Sequence, residues 1–168
     1  MNGWLKPEDF RQARDWVPIV CVDVVPLRLK DDGSLASIGL IHRDTPDQGQ
    51  RWCIVGGRLW RNELIAEAIA RQLRETLGPS VAFEHVADPQ PHYVWQYFPE
   101  QREIGSVDPR QHAVTLVFCV AITGDLHPGG EALDFRWFDP CRLPSPAEFG
   151  FRQDDVIDAA LAVWRREE

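Results

Sequence analysis

Residues 56–78 read GGRLWRNELIAEAIARQLRETLG, and the rest of the chain is best understood outward from them. Two glycines open the stretch, an Arg-bearing loop follows, and an amphipathic segment runs to Gly78 and Pro79. Asn62 supplies a short side-chain acceptor for a free backbone N–H, which predicts a helix beginning at Glu63. Gly78 followed by Pro79 predicts its end, since glycine takes the left-handed cap and proline cannot continue the helix. Ile65, Ile69, Leu73 and Leu77 recur at helical spacing and predict the buried stripe. Ala68, Gln72, Glu75 and Thr76 border that stripe along one edge. Polar groups in such a place need partners, because burying them unpaired costs stability. A Mg²⁺ ion is one such partner, since it takes oxygen ligands and shares them with substrate phosphates. On this edge Glu75 offers a carboxylate, Gln72 an amide oxygen and Thr76 a hydroxyl. The competing reading is an ordinary charge ladder of Glu67, Arg71 and Glu75 on a solvated helix face.

The stretch resembles the Nudix box, G-x5-E-x7-R-E-x-x-E-E-x-G, with Gly57, Glu63, Arg71, Glu75 and Gly78 in register. Gln72 and Thr76 stand where that pattern has Glu. The likeness extends over most of the chain and is similar to the GDP-mannose mannosyl hydrolase-like branch. It is carried by LKPEDF and VPIVCVDVV near the start, WCIVGGR before the box, and VWQYF, QHAVTLVF and ALDFRWF after it. DPRQHAV and ITGD also resemble an uncharacterised group of bacterial Nudix-like proteins.

The resemblance implies a set of roles. That branch cleaves at the sugar carbon rather than at phosphorus and releases GDP. It implies metal ligation by the Gly56 carbonyl and Glu75, with Gln72 as a neutral neighbour. Ala132 stands where the branch has its His base, and Glu131 where it has a metal-ligating Gln. The base therefore stays open among Glu131, His127 of the same loop, and His112 of QHAV. Arg58 matches an Arg that contacts the diphosphate, a task suited to a planar, permanently charged fork. Arg43 and Asp23 are weaker matches to substrate-binding positions. Trp95 in VWQYF can stack a base or sugar, or simply fill the core. The branch also implies a homodimer.

Composition narrows the classes. The chain has 168 residues, enough for a single domain with an adequate core. Net charge is −8, which argues against a nonspecific nucleic-acid or membrane-surface binder while leaving room for an anionic small molecule met by local Arg or metal. No apolar run is long enough to span a bilayer. MNGWLKPEDF has no signal-peptide hydrophobic region, so the expected compartment is the cytoplasm. Cysteines at 21, 53, 119 and 141 show no C-x-x-C spacing, and no zinc site is expected.

Along the chain, Pro7 predicts a short helix to about residue 16, followed by a strand over 18–29. Asp32-Gly33 is a hairpin signal, with a second strand over 34–42. Strands are expected at WCIV, 81–86, 93–98, 111–122 and 135–138, a mobile polar loop at 99–110, and a closing helix over 154–166. These elements predict one domain over residues 1–168: an α/β chain with the Nudix fold, an α/β/α sandwich around a mixed sheet. The leading expectation is a Mg²⁺-dependent hydrolase of a nucleoside diphosphate derivative, a nucleotide sugar of the GDP-mannose type. The competing one is a Nudix-fold module that binds a nucleotide or metabolite without turning it over.

Overall fold

The strand Ile19–Leu29 (β1) runs through the middle of the sheet, and its residues from Cys21 to Leu27 are all buried. That explains its near-continuous apolar sequence, since a strand covered on both faces has no solvent side to pattern. The computed structural model describes residues 5–167, so the first residues of the MNGWLKPEDF segment lie outside it. β1 pairs in parallel with Ala113–Thr123 (here β8), from Ile19 opposite Ala113 to Leu27 opposite Ala121. It pairs antiparallel with Leu35–Thr45 (β2) and with Val55–Arg58 (β4). Gly49–Cys53 (β3) and Asp134–Phe138 (β9) extend β2. Tyr93–Phe98 (β6) and Ser106–Val107 (β7) continue beyond β8, and Ala82–Phe83 (β5) pairs with the far end of β8.

Helices cover both faces. Ile65–Leu77 (α2) packs Ala68, Ile69, Leu73 and Leu77 with Val22, Val24 and Phe118. Gln153–Glu167 (α3) packs Val156, Ile157, Ala160, Leu161 and Trp164 with Val25, Leu27 and Ile38 on the other side. The result is the expected mixed sheet between helical layers. Pro7–Trp16 (α1) is different: none of its residues is buried. No helix among the described residues is long and apolar enough to cross a membrane.

The sequence reading needs adjusting in three places, the first being the strand expected over 81–86, of which only Ala82–Phe83 pairs, with β8. α2 begins at Ile65 rather than Glu63, because Asn62 has φ 65° and the Glu67 carboxylate, not Asn62, receives the Leu64 N–H at 2.9 Å. Glu63 is held before the helix by other bonds. The 99–110 stretch is not simply a polar loop: Ser106 and Asp108 within it are buried, and β7 pairs with β6. The two turn signals both fall on positive-φ glycines, although Gly78 has ψ 164° rather than the left-handed helical value. Gly33 has φ 83° with Asp32 accepting from Ser34, and Gly78 closes α2 with φ 93°.

Candidate active site

Arg71 organises the loop that precedes α2. Its Nε lies 2.6 Å from Glu63 Oε1 and its Nη2 2.9 Å from Oε2, a two-pronged pairing in which the guanidinium donates. The same Nη2 donates to the Arg58 carbonyl at 2.9 Å, and the guanidinium lies 4.0 Å from the Trp60 ring centre. Glu63 also accepts the Trp60 N–H at 2.9 Å. Burial alone would raise the Glu63 carboxyl, but the Arg71 and Trp60 bonds outweigh it and hold the group below its ordinary value. Arg71, eight residues beyond Glu63 and thirteen beyond Arg58, thus fixes where Arg58 leaves the sheet.

Behind this frame opens a cavity of about 740 Å³, bounded by α1, β1, β4, α2 and the segments before β8 and β9. Asp23 faces Gly56 across the β1–β4 ladder. Its carboxylate occupies the space a Cβ on Gly56 would need, and the Gln72 amide does the same over Gly57. The paired glycines therefore let two polar side chains close over the strand. Burial first, and then the nearby Glu131 charge, push the Asp23 carboxyl up to about 7, against the Thr115 hydroxyl and Arg43. Glu131 pairs with Arg43 at 2.7 Å, and burial raises its carboxyl too, against the pull of Arg43 and Arg110.

Two further contacts shape the walls. Buried Asp108 accepts from the Arg110 backbone N–H at 3.0 Å and from its guanidinium at 2.8 Å through both oxygens. Gln153 Oε1 accepts the Ile54 N–H at 2.9 Å, so its amide nitrogen donates to the Tyr97 hydroxyl oxygen at 3.2 Å. The Tyr97 proton is thereby left to point elsewhere, and Tyr97 lines the cavity.

Of the residues singled out in the sequence, Asp23, Arg43, Gly56, Arg58, Gln72, Glu75 and Glu131 come together on this cavity. Arg58 stacks its guanidinium 3.5 Å from the Phe10 ring centre. His112, His127 and Trp95 do not line it. The His112 ring stacks on Phe98 with centres 4.7 Å apart. His127 is exposed, paired with Asp125 at 3.0 Å, and its backbone N–H caps the Leu77 carbonyl at the end of α2. Trp95 donates its ring N–H to Ser106 at 3.0 Å and packs between the two cores. The sequence reading passed over Phe10, Arg14, Tyr97, Asp108, Arg110 and Gln153, which also line the cavity. For Arg110 a signal was available, since Asp-Pro-Arg is a turn in which a short acid can grip the following base.

The donors present do not fit the carboxylate-rich Mg²⁺ site that the box implies. Gln72 and Thr76 are neutral and buried, and Glu75 Oε2 lies 3.3 Å from Arg71 Nη1. Glu131 is engaged by Arg43 and Asp108 by Arg110. Among the described residues no three Asp, Glu, His or Cys side chains converge as a metal-binding group. Positive charge here is supplied by arginine.

Comparison with known proteins agrees with the architecture. The family described as "Domain of unknown function (DUF4916)" matches residues 1–165. The solved structure of a possible asymmetric diadenosine tetraphosphate (Ap(4)A) hydrolase from Jonesia denitrificans is 33% identical, with a TM-score of 0.80 over 88% of this chain and 95% of that one. The nucleoside triphosphatase NudI of Salmonella heidelberg (strain SL476) is 26% identical over 124 residues, 71% of this chain and 82% of that protein. A MutT/nudix family protein from Enterococcus faecalis shares the fold at 16% identity, with a TM-score of 0.63 over 95% of this chain and 74% of its own. The chain belongs to the DUF4916 family and is a hydrolase of the Nudix superfamily.

Proposed function

We propose that the chain hydrolyses a nucleoside diphosphate or triphosphate derivative in the cavity behind the Arg71–Glu63 frame, with residues 1–168 acting as one Nudix domain. The observation that carries this reading is the meeting of Arg43 and Arg58 with two carboxyls, Asp23 and Glu131, that burial raises above their ordinary values, on one cavity. Arg58 and Arg43 lie against the phosphates, where planar guanidinium forks pair with phosphate oxygens. The same cations hold the negative charge that grows on the departing phosphate. Asp23 or Glu131 takes the proton of the attacking water. A base works best when its proton is exchangeable near the working pH, and Asp23 at about 7 meets that condition.

Nudix hydrolases generally use divalent metals such as Mg²⁺, and the assays below therefore run with and without it. No step of this reading passes through a resident metal. The substrate class is supported by the relatives that are described as acting on nucleoside triphosphates and on diadenosine tetraphosphate. Within that class, the sequence likeness of VWQYF, QHAVTLVF and ALDFRWF favours a nucleotide sugar of the GDP-mannose type. A homodimer belongs to the same proposal and is read by light scattering.

A second reading, a module that binds nucleotide without turnover, is favoured by one observation: Glu75 is paired with Arg71 while Gln72 and Thr76 are neutral. ³¹P NMR with nucleotide sugars, nucleoside triphosphates and dinucleoside polyphosphates separates the two. New phosphorus resonances support hydrolysis. Unchanged spectra together with a nucleotide-raised melting temperature support the binding module.

A further inference from the structure

Five arginines line the cavity against four carboxyls, one of which, Asp23, keeps its proton up to about 7. Arg14, on α1, and Arg110, before β8, line the same cavity as Arg58. Burial first, and then the charges of Arg110, Arg14 and Arg71, pull the Arg58 guanidinium below its ordinary value. Like charges gathered in this way repel one another, and an anion placed between them relieves the repulsion. Arg110 is already oriented: its buried partner Asp108 grips Nε and Nη2, which leaves Nη1 for a ligand. Arg14 Nε is buried with no hydrogen-bond partner. A donor in that position has lost water without gaining an acceptor, which is costly unless something else fills the place.

α1 itself points the same way. Phe10 and Arg14 are one helical turn apart and share the face turned to the cavity. Phe10 carries the stacked Arg58 guanidinium. Because none of the α1 residues is buried, few apolar contacts hold the helix down. An anion bridging Arg14, Arg58 and Arg110 would tie α1 to the body of the protein.

We propose that Arg14, Arg58 and Arg110 form a subsite for an additional phosphate group at the end of a polyphosphate chain, with α1 as the wall that closes on it. This rests on the phosphate-binding reading above and, within its substrate class, chooses a polyphosphate end over the nucleotide sugar that the sequence likeness favours, since a neutral sugar beyond a diphosphate would leave Arg14 and Arg110 without a task.

Calorimetric titration of the full chain with orthophosphate, pyrophosphate and tripolyphosphate, in chelator to keep Mg²⁺ out, tests this. Tripolyphosphate should bind at least about tenfold more tightly than pyrophosphate, the order expected for one additional charge-assisted contact. Arg14→Met and Arg110→Met should each abolish most of that step. Amide exchange across residues 7–16 should slow with tripolyphosphate and not with orthophosphate. Arg110→Met leaves buried Asp108 without its partner and can unsettle the fold, whereas Arg14 is half-buried on a helix with no buried residue, and Arg14→Met removes no ion pair among the described residues. A nucleoside triphosphate run alongside identifies the source: tighter binding than tripolyphosphate assigns the subsite to a nucleotide's phosphate end, equal binding to a free polyphosphate. Equal affinity for pyrophosphate and tripolyphosphate, or a step that survives Arg14→Met, overturns the subsite. Because the titration needs no turnover, its failure is distinct from a failure to hydrolyse.

Discussion

The carboxylate of Asp23 fills the volume that a side chain at position 56 would occupy, so Gly56 and Asp23 fit only as a pair. This makes the glycine just before the box a steric requirement of the cavity floor. Gly56→Ala should destabilise the protein by about 1–3 kcal/mol, the usual range for overpacking. Adding Asp23→Ala should restore part of the loss. Urea denaturation of the two single variants and the double variant checks this, and additive losses would separate the two positions.

Asp23 should also set a pH trend in stability. Its carboxyl holds its proton up to about 7 in the folded protein, against 3.8 ordinarily. Between those values the folded state binds more protons than the unfolded one. Stability must therefore fall as pH rises through the window, and the cost is complete above it. Asp23→Asn removes this slope. Relative to wild type, the variant should gain roughly 3 kcal/mol between pH 5 and pH 8. Parallel pH curves for the two proteins would show that Asp23 ionises freely.

Glu63 has the opposite sign. Its carboxyl is held below the ordinary value by Arg71 and the Trp60 N–H, outweighing burial. Its stabilisation is present above the ordinary carboxylate range and is lost as pH falls through the lowered value. Glu63→Gln should cost about 2 kcal/mol at neutral pH and flatten the acid limb of the stability curve. Arg58, whose carbonyl Arg71 holds, should become more mobile in the same variant, seen as faster amide exchange in residues 58–62.

For catalysis, Arg58→Ala should lower kcat/KM about a hundredfold, as loss of a group that stabilises developing charge does. His112→Ala and His127→Ala should leave it nearly unchanged, because neither ring lines the cavity. Steady-state rates on any substrate found by product analysis check all three.

The fold was legible because its signals are local and redundant. The apolar run of β1, the Asp32-Gly33 turn and the Ile65–Leu77 stripe each follow from periodicity or turn chemistry. The box face was legible as well, since α2 and the Gly56–Gly57 strand carry their side chains to one place. What sequence could not supply was the other wall. Phe10 and Arg14 arrive from α1, and Tyr97 is oriented by Gln153 more than fifty residues away. Nothing in a local pattern announces such partners. The Asn62 cap was misplaced for a related reason: Glu63 is committed to Arg71 across the loop, and a tertiary bond overrode a local preference. His112 was singled out by its likeness to the branch and His127 by its loop, and direction within a strand or loop decided where their rings went.

The most direct test of the central claim is ³¹P NMR of the purified protein with nucleotide sugars, nucleoside triphosphates and dinucleoside polyphosphates, each with and without Mg²⁺, alongside Arg58→Ala. Cleavage of at least one of these by the wild-type protein and a strongly reduced rate in the variant are expected. Unchanged spectra for every substrate in both conditions, or equal rates for wild type and Arg58→Ala, would contradict the claim.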